Sequence, residues 1–212
     1  MYVGHAAIAL ALKSRSPRVP LLALTLACYG PDWVDAALMI PHPRAGMAPW
    51  SHSLPAVAIG ALAAGAVYAL FAQQPGATAL IVGWLLHWPA DFLTGLKPLV
   101  GLAPLVGLDL YHAPVADFAL ETACIVAACV LFSRSVARAG VRPLEQILRD
   151  PRDNDKQILR SAQDDKRRFA QDDKRRVIVA LCIAMILLQL GFDVVVPRMD
   201  GLRWNPSLAD AR

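Results

Sequence analysis

The chain has 212 residues, of which 56% are hydrophobic and only 18% are charged. Soluble domains carry nearer ~25% charged residues, so the composition argues against an ordinary soluble protein. The four cysteines lie inside apolar runs and form no C-x-x-C pair, which argues against a zinc knuckle or a disulfide framework. We predict an all-α integral membrane protein, a helical bundle with about five transmembrane helices and a short N-terminal helix.

Hydrophobic runs place these elements along the chain. A helix over 2–12 is too short to cross a ~30 Å hydrocarbon core alone. Pro31 interrupts the first longer run, where we expect the helix to end or kink. Residues 41–53 and 96–114 are polar or glycine- and proline-rich, and we predict both as loops. The predicted spans are residues 19–40, 54–72, 77–95, 115–132 and 177–196.

The charge is concentrated in one segment. Residues 133–176 hold 13 of the 21 Lys and Arg residues and 8 of the 17 acids, including a tandem Ala-Gln-Asp-Asp-Lys-Arg-Arg repeat that begins at Ala162 and again at Ala170. We predict a disordered cytoplasmic loop, with an anionic-lipid or nucleic-acid patch as the alternative, and expect no nucleic acid as partner. This loop divides a membrane-embedded core, residues 1–132, from a last span and polar tail, residues 177–212.

The distribution of basic loops also predicts which polar residues share a level of the membrane. The basic turn after the first helix and the loop 133–176 fall on the cytoplasmic side, so the loops 41–53 and 96–114 fall outside. Histidines and carboxylates that are scattered in the sequence then meet near the outer face. These residues are His5, Asp32, Asp35, His52, His87 and Asp91.

His87 and Asp91 form the strongest pair of this group. They are spaced i and i+4 in a very apolar stretch, so both side chains leave the same face of a helix. Together with Asp32 and Asp35, spaced i and i+3, they offer the nitrogen and oxygen donors that suit zinc and similar divalent ions. Simpler interpretations exist, because Asp32 could cap a helix and Asp91 could face water at a helix end. Glu121 lies inside an apolar run and needs a partner of its own.

Four short motifs occur in order between residues 4 and 132: Gly4-His5, Pro31-Asp32-Trp-Val-Asp35, Ser51-His52-Ser53 and His87-Trp-Pro-Ala-Asp91. Their order resembles the YdjM-like, LexA-regulated inner-membrane group of bacterial membrane-bound metal-dependent hydrolases. Many members carry a longer His-Arg-Gly-x-Thr-His-Ser motif, which is shortened here by one histidine. The Pro-Asp-x-Asp spacing is also one residue wider, so the number of bound metals stays open.

The resemblance implies metal-assisted hydrolysis of a phosphoester in a bacterial inner membrane. The predicted position of the site within the membrane adds the expectation of a lipid or lipid-linked substrate. Zinc is the expected metal, with manganese as the alternative. The implied metal ligands are His5, Asp32, His52, His87 and Asp91, and the implied further ligands or general bases are Asp35 and Glu121. A small metal carrier, or a scaffold with a degenerate site, is the rival hypothesis. The oligomeric state is left open.

Overall fold

A computed structural model describes residues 3–39, 50–72, 75–101, 103–147, 173 and 175–191. Most of the tandem repeat, most of the predicted loop 41–53 and the C-terminal tail lie outside these residues. The helices are α1 (Gly4–Arg15), α2 (Leu21–Cys28), α3 (Gly30–Met39), α4 (Leu54–Phe71), α5 (Ala77–Thr94), α6 (Pro114–Ile147) and α7 (175–191). The strands are β1 (Lys97–Val100) and β2 (Ala103–Val106), and two 3-10 turns cover Trp50–His52 and Leu110–His112.

The fold is mostly helical, as predicted, but it differs from the prediction at two places. The predicted loop 96–114 contains an antiparallel hairpin, in which Lys97 pairs with Val106 and Pro98 with Leu105. Helix α6 continues to Ile147, so the charged segment after residue 132 begins as helix. A count of charges alone treats this segment, with arginines at 134, 138 and 142, as a loop.

Two described helices are long and apolar enough to cross a membrane, by length and composition. They are α4 over Leu54–Phe71 and the Pro114–Ala137 part of α6, and only 22% and 28% of these stretches are buried inside the protein. Helices α1, α2 and α3 have 12, 8 and 10 residues, which is shorter than a span requires. The described residues thus support two of the roughly five predicted spans.

Close packing of small residues brings the elements of the site together. The indole of Trp84 on α5 lies against Gly30 at the start of α3 and against Gly60 on α4, where any side chain on either glycine would overlap it. Trp84 is half-buried and lies between α5, α3 and α4. The contact sets the first turn of α3, with Asp32, beside the middle of α5.

Helix α1 is held from behind by α6 and α7. Glu121 Oε2 accepts hydrogen bonds from the backbone amides of Val3, at 3.0 Å, and Gly4, at 2.9 Å. The Val3 amide also donates to Gln189 Oε1 on α7, at 3.2 Å. Both side chains are fully buried. A carboxylate at a helix N-terminus accepts hydrogen bonds from amides that have no partner within the helix, and its charge interacts favourably with the helix dipole. Glu121 therefore fixes where α1 begins.

Candidate metal centre

Polar side chains from five parts of the chain converge at one place in the described structure. Helices α1, α3 and α5 and the 3-10 turn before α4 contribute the histidines and acids, and strand β1 contributes a lysine. The converging residues are His5, Asp32, Asp35, His52, His87, Asp91 and Lys97. Six of these seven are the residues that the sequence placed at one level of the membrane.

Four of the side chains surround a common point. Each offers one donor atom, and these atoms lie within 4.8 Å of one another: Asp32 Oδ1, His52 Nε2, His87 Nε2 and Asp91 Oδ2. Five of the six donor separations span 3.0–3.7 Å. Tetrahedral ligands at zinc-like bond lengths are separated by roughly 3.3–3.5 Å. The group could therefore hold one metal ion with little rearrangement.

His87 is set in the orientation of a ligand. Its Nδ1 lies 2.8 Å from the backbone carbonyl of Cys28, and because a carbonyl only accepts, Nδ1 must carry the proton. The lone pair of the neutral ring is then on Nε2, the atom that faces the other three donors. A metal-binding histidine usually has its second nitrogen held in this way. The imidazole is completely buried.

His52 has a carboxylate in the same role. Its Nδ1 lies 2.9 Å from Asp35 Oδ2, while the other Asp35 oxygen accepts the Ser51 amide at 3.2 Å. Burial lowers the pKa of His52, but the hydrogen bonds to Asp32, Asp35 and Asp91 outweigh this effect and raise it to about 10. In the metal-free protein His52 is thus an imidazolium at neutral pH, and its Nε2 proton can bridge to His87 Nε2, 3.0 Å away.

The centre is buried on most sides and open on one. His52, His87 and Asp91 are buried, whereas the side chain of Asp32 is 46% exposed. Asp32 lies in the first turn of α3, after the buried residues Gly30 and Pro31. Among the four donors, Asp32 is the one that the described residues leave partly exposed to solvent.

His5 lies beside the four donors. Its Nε2 is 3.5 Å from Asp91 Oδ1, and its ring stands 4.0 Å from the ring of His87, centroid to centroid. Burial, reinforced by His87, lowers the pKa of His5 to about 3, so the ring is neutral at physiological pH. A ligand role for His5 stays a prediction, since it is not among the four clustered donors.

The two predicted general bases occupy different positions. Asp35 contacts His52 on the side that faces away from the four-donor point. Glu121 accepts hydrogen bonds from the amides at the start of α1, the helix that carries His5. Catalytic roles for both remain predictions. The contacts of Asp35 orient the His52 imidazole, and those of Glu121 hold the start of α1.

Sequence reasoning missed three participants. Lys97 lies in the segment 96–114, which the sequence predicts as a loop, although a lysine so close after an apolar helix that contains an aspartate was a usable signal. Gln189, a polar residue inside the last apolar run, was a similar signal. The Cys28 carbonyl left none, because any residue has a backbone oxygen.

The chain was also compared with known proteins. No family model, no curated protein and no solved structure matches it. The resemblance to the YdjM-like hydrolases therefore stays a prediction that depends on four motifs and their order.

Proposed function

We propose that this protein is a membrane-bound, zinc-dependent hydrolase of phosphoesters, related to the YdjM-like group. The observation that carries the proposal is the four-donor centre, in which two nitrogens and two oxygens lie within 4.8 Å of one another. Cys28 and Asp35 hold its two imidazoles, and Asp32 is partly exposed. A site that served only to stabilise the fold would more often be closed on every side.

The donor set favours zinc over other common ions. Two imidazoles and two carboxylates match its borderline character and its tetrahedral preference. Manganese favours six ligands with more oxygen, so it is the second candidate. A divalent ion in such a site lowers the pKa of water towards neutrality and stabilises negative charge on a phosphoryl oxygen.

The residues of the chain contribute orientation and access. Cys28 and Asp35 fix the two imidazoles before any ligand arrives, which lowers the reorganisation cost of binding. The partial exposure of Asp32 is the route by which water and a phosphoester would reach the buried donors. The burial of His52, His87 and Asp91 keeps the surroundings of that water low in dielectric, where charge stabilisation is strongest.

The apolar surface favours a lipid or lipid-linked substrate. Helix α4 exposes large apolar side chains along its length, among them Ile59, Leu62, Leu70 and Phe71. A soluble protein rarely exposes such a continuous surface, whereas a bilayer covers it. Trp33, the residue after Asp32, is 54% exposed. We propose the bacterial inner membrane as the location and the headgroup region as the place of reaction.

The direct test is hydrolysis by the detergent-purified, zinc-loaded chain. We expect phosphate release from phosphatidic acid or from a lipid-linked pyrophosphate in mixed micelles, lost in His87→Ala and kept in Asp109→Asn. Asp109 pairs with His112 on an exposed 3-10 turn, at 2.7 Å, so it controls for a change in an Asp–His pair. Net transport of zinc across liposome membranes, with no hydrolysis, would refute the hydrolase proposal and support a metal carrier.

A further inference from the structure

The centre contains a cation that the proposed hydrolysis has not yet used. Lys97 Nζ lies 2.6 Å from Asp91 Oδ2, and the side chain is only 17% exposed. Lysine is among the residues least often buried, and a buried one is normally paired. An ammonium group placed this deep at a group of metal donors calls for a role beyond solubility.

The backbone around Lys97 is firmly held. β1 begins three residues after α5 ends, and the Pro98 carbonyl accepts a hydrogen bond from Trp88 Nε1 at 3.4 Å. The chain after the hairpin returns to α5, where the Leu108 amide donates to the Phe92 carbonyl at 2.8 Å. These contacts fix the base of the Lys97 side chain beside the last turn of α5, and its long stem leaves the ammonium group free to change partner.

Lys97 and a metal ion would share one oxygen atom. Asp91 Oδ2 is both the partner of the ammonium group and one of the four clustered donors. A divalent ion among Asp32, Asp35 and Asp91 leaves one negative charge uncompensated, which would repel an anionic substrate. The ammonium group of Lys97 neutralises that charge. When Asp91 binds a metal ion, the ammonium group can leave Asp91 and bind the anionic substrate.

We infer that Lys97 is the phosphate-binding residue of this site. Its ammonium group, held by Asp91 in the free protein, binds a non-bridging oxygen of a phosphate ester on the open side of the centre. This inference rests on the proposed phosphoester hydrolysis. Lysine binds phosphate as a point charge, so the same contact serves a lipid phosphate headgroup and a soluble phosphate ester.

The test measures phosphate binding and zinc binding separately. The full chain is purified in detergent, loaded with zinc, desalted, and titrated calorimetrically with inorganic phosphate. Lys97→Met keeps the length of the side chain and removes its charge, and Lys97→Arg keeps the charge. Arg15→Met removes one positive charge from the exposed far end of α1 and is the matched control.

We expect Lys97→Met to weaken phosphate binding by about tenfold or more, the effect of losing a charge-assisted hydrogen bond. Lys97→Arg and Arg15→Met should stay close to wild type. Zinc affinity in Lys97→Met should be unchanged or higher, because a competitor for Asp91 Oδ2 has been removed. If Lys97→Met does not fold, Lys97→Gln takes its place in the same comparison.

Three results would overturn the inference without touching the metal site. Phosphate could bind Lys97→Met as tightly as wild type, or fail to bind the zinc-loaded wild type at all. Zinc affinity could instead fall in Lys97→Met, which would make Lys97 a residue that only positions Asp91. Failure of the wild type to bind zinc is a different outcome, and it overturns the proposed function first. Tighter binding of short-chain phosphatidic acid than of glycerol 3-phosphate would identify the lipid as the source of the phosphate.

Discussion

Asp35→Asn isolates the contribution of the residue behind His52. The aspartate accepts two hydrogen bonds, from His52 Nδ1 at 2.9 Å and from the Ser51 amide at 3.2 Å. Asparagine has nearly the same shape but only one oxygen, so it can accept one of these bonds and points an N–H group at the other donor. It also removes the negative charge that favours a proton on His52.

The substitution changes zinc binding in two opposite ways. Loss of a carboxylate behind a metal-binding histidine typically costs about 10–100-fold in affinity, equivalent to about 1.4–2.7 kcal/mol. Loss of the charge also lowers the pKa of His52 from its wild-type value of about 10. A smaller fraction of the protein molecules must then release the His52 proton before zinc binds. The pH-independent zinc affinity should therefore fall by the whole of this factor, and the apparent zinc affinity at pH 7 should fall by less.

Zinc affinity is measured by competition with a chelator of known strength between pH 6.5 and 8.5. In the wild type we expect the apparent affinity to rise about tenfold per pH unit, because one proton leaves His52 for each ion bound. In Asp35→Asn the rise should flatten at the upper end of the range. Asp109→Asn should behave as wild type. An unchanged pH-independent affinity in Asp35→Asn, or a wild-type affinity that is flat above pH 7, would refute this reasoning.

Three further predictions concern stability. The pKa of His52 is about 10 in the folded protein and 6.5 in the unfolded chain, so the contribution of the His52 proton to the free energy of unfolding is complete below pH 6.5 and is lost as the pH rises through 10. The melting temperature measured with a chelator present should fall over this pH range, and added zinc should abolish the fall. Glu121→Ala leaves a buried backbone amide at the start of α1 without its acceptor and should lower the free energy of unfolding by about 1–3 kcal/mol in denaturant titration. Gly60→Val drives a side chain into Trp84 and should cost about 1–3 kcal/mol, whereas Gly191→Ala, with open space around it, should cost far less.

Helix periodicity and charge placement predicted the elements that carry the site. The boundaries of α4 and α5 agree with the predicted spans within one residue, because both are predominantly apolar segments between turn residues. The i, i+4 spacing of His87 and Asp91 predicted one shared face, and both side chains are buried on it. The predicted loop orientation also led us to expect the other polar residues to meet, and the described structure brings them together, while the orientation itself stays a prediction.

What the sequence did not predict depends on tertiary contacts. Nothing local indicates that the Cys28 carbonyl holds His87 or that Glu121 accepts the amides at the start of α1. The hairpin was missed because Pro98 and Pro104 favour a loop assignment. Proline is tolerated in edge strands, and both strands of this two-stranded sheet are edge strands. With the hairpin missed, Lys97 could not be placed at the centre.

The central claim is that the four donors hold a metal ion, and metal content tests it most directly. Mass spectrometry on the detergent-purified chain compares the wild type with His87→Ala and Asp91→Ala, each prepared with zinc and then desalted. The account predicts close to one zinc per chain in the wild type and loss of the metal in both variants. Wild-type protein that stays folded yet retains no metal, after loading at pH 8, would contradict it.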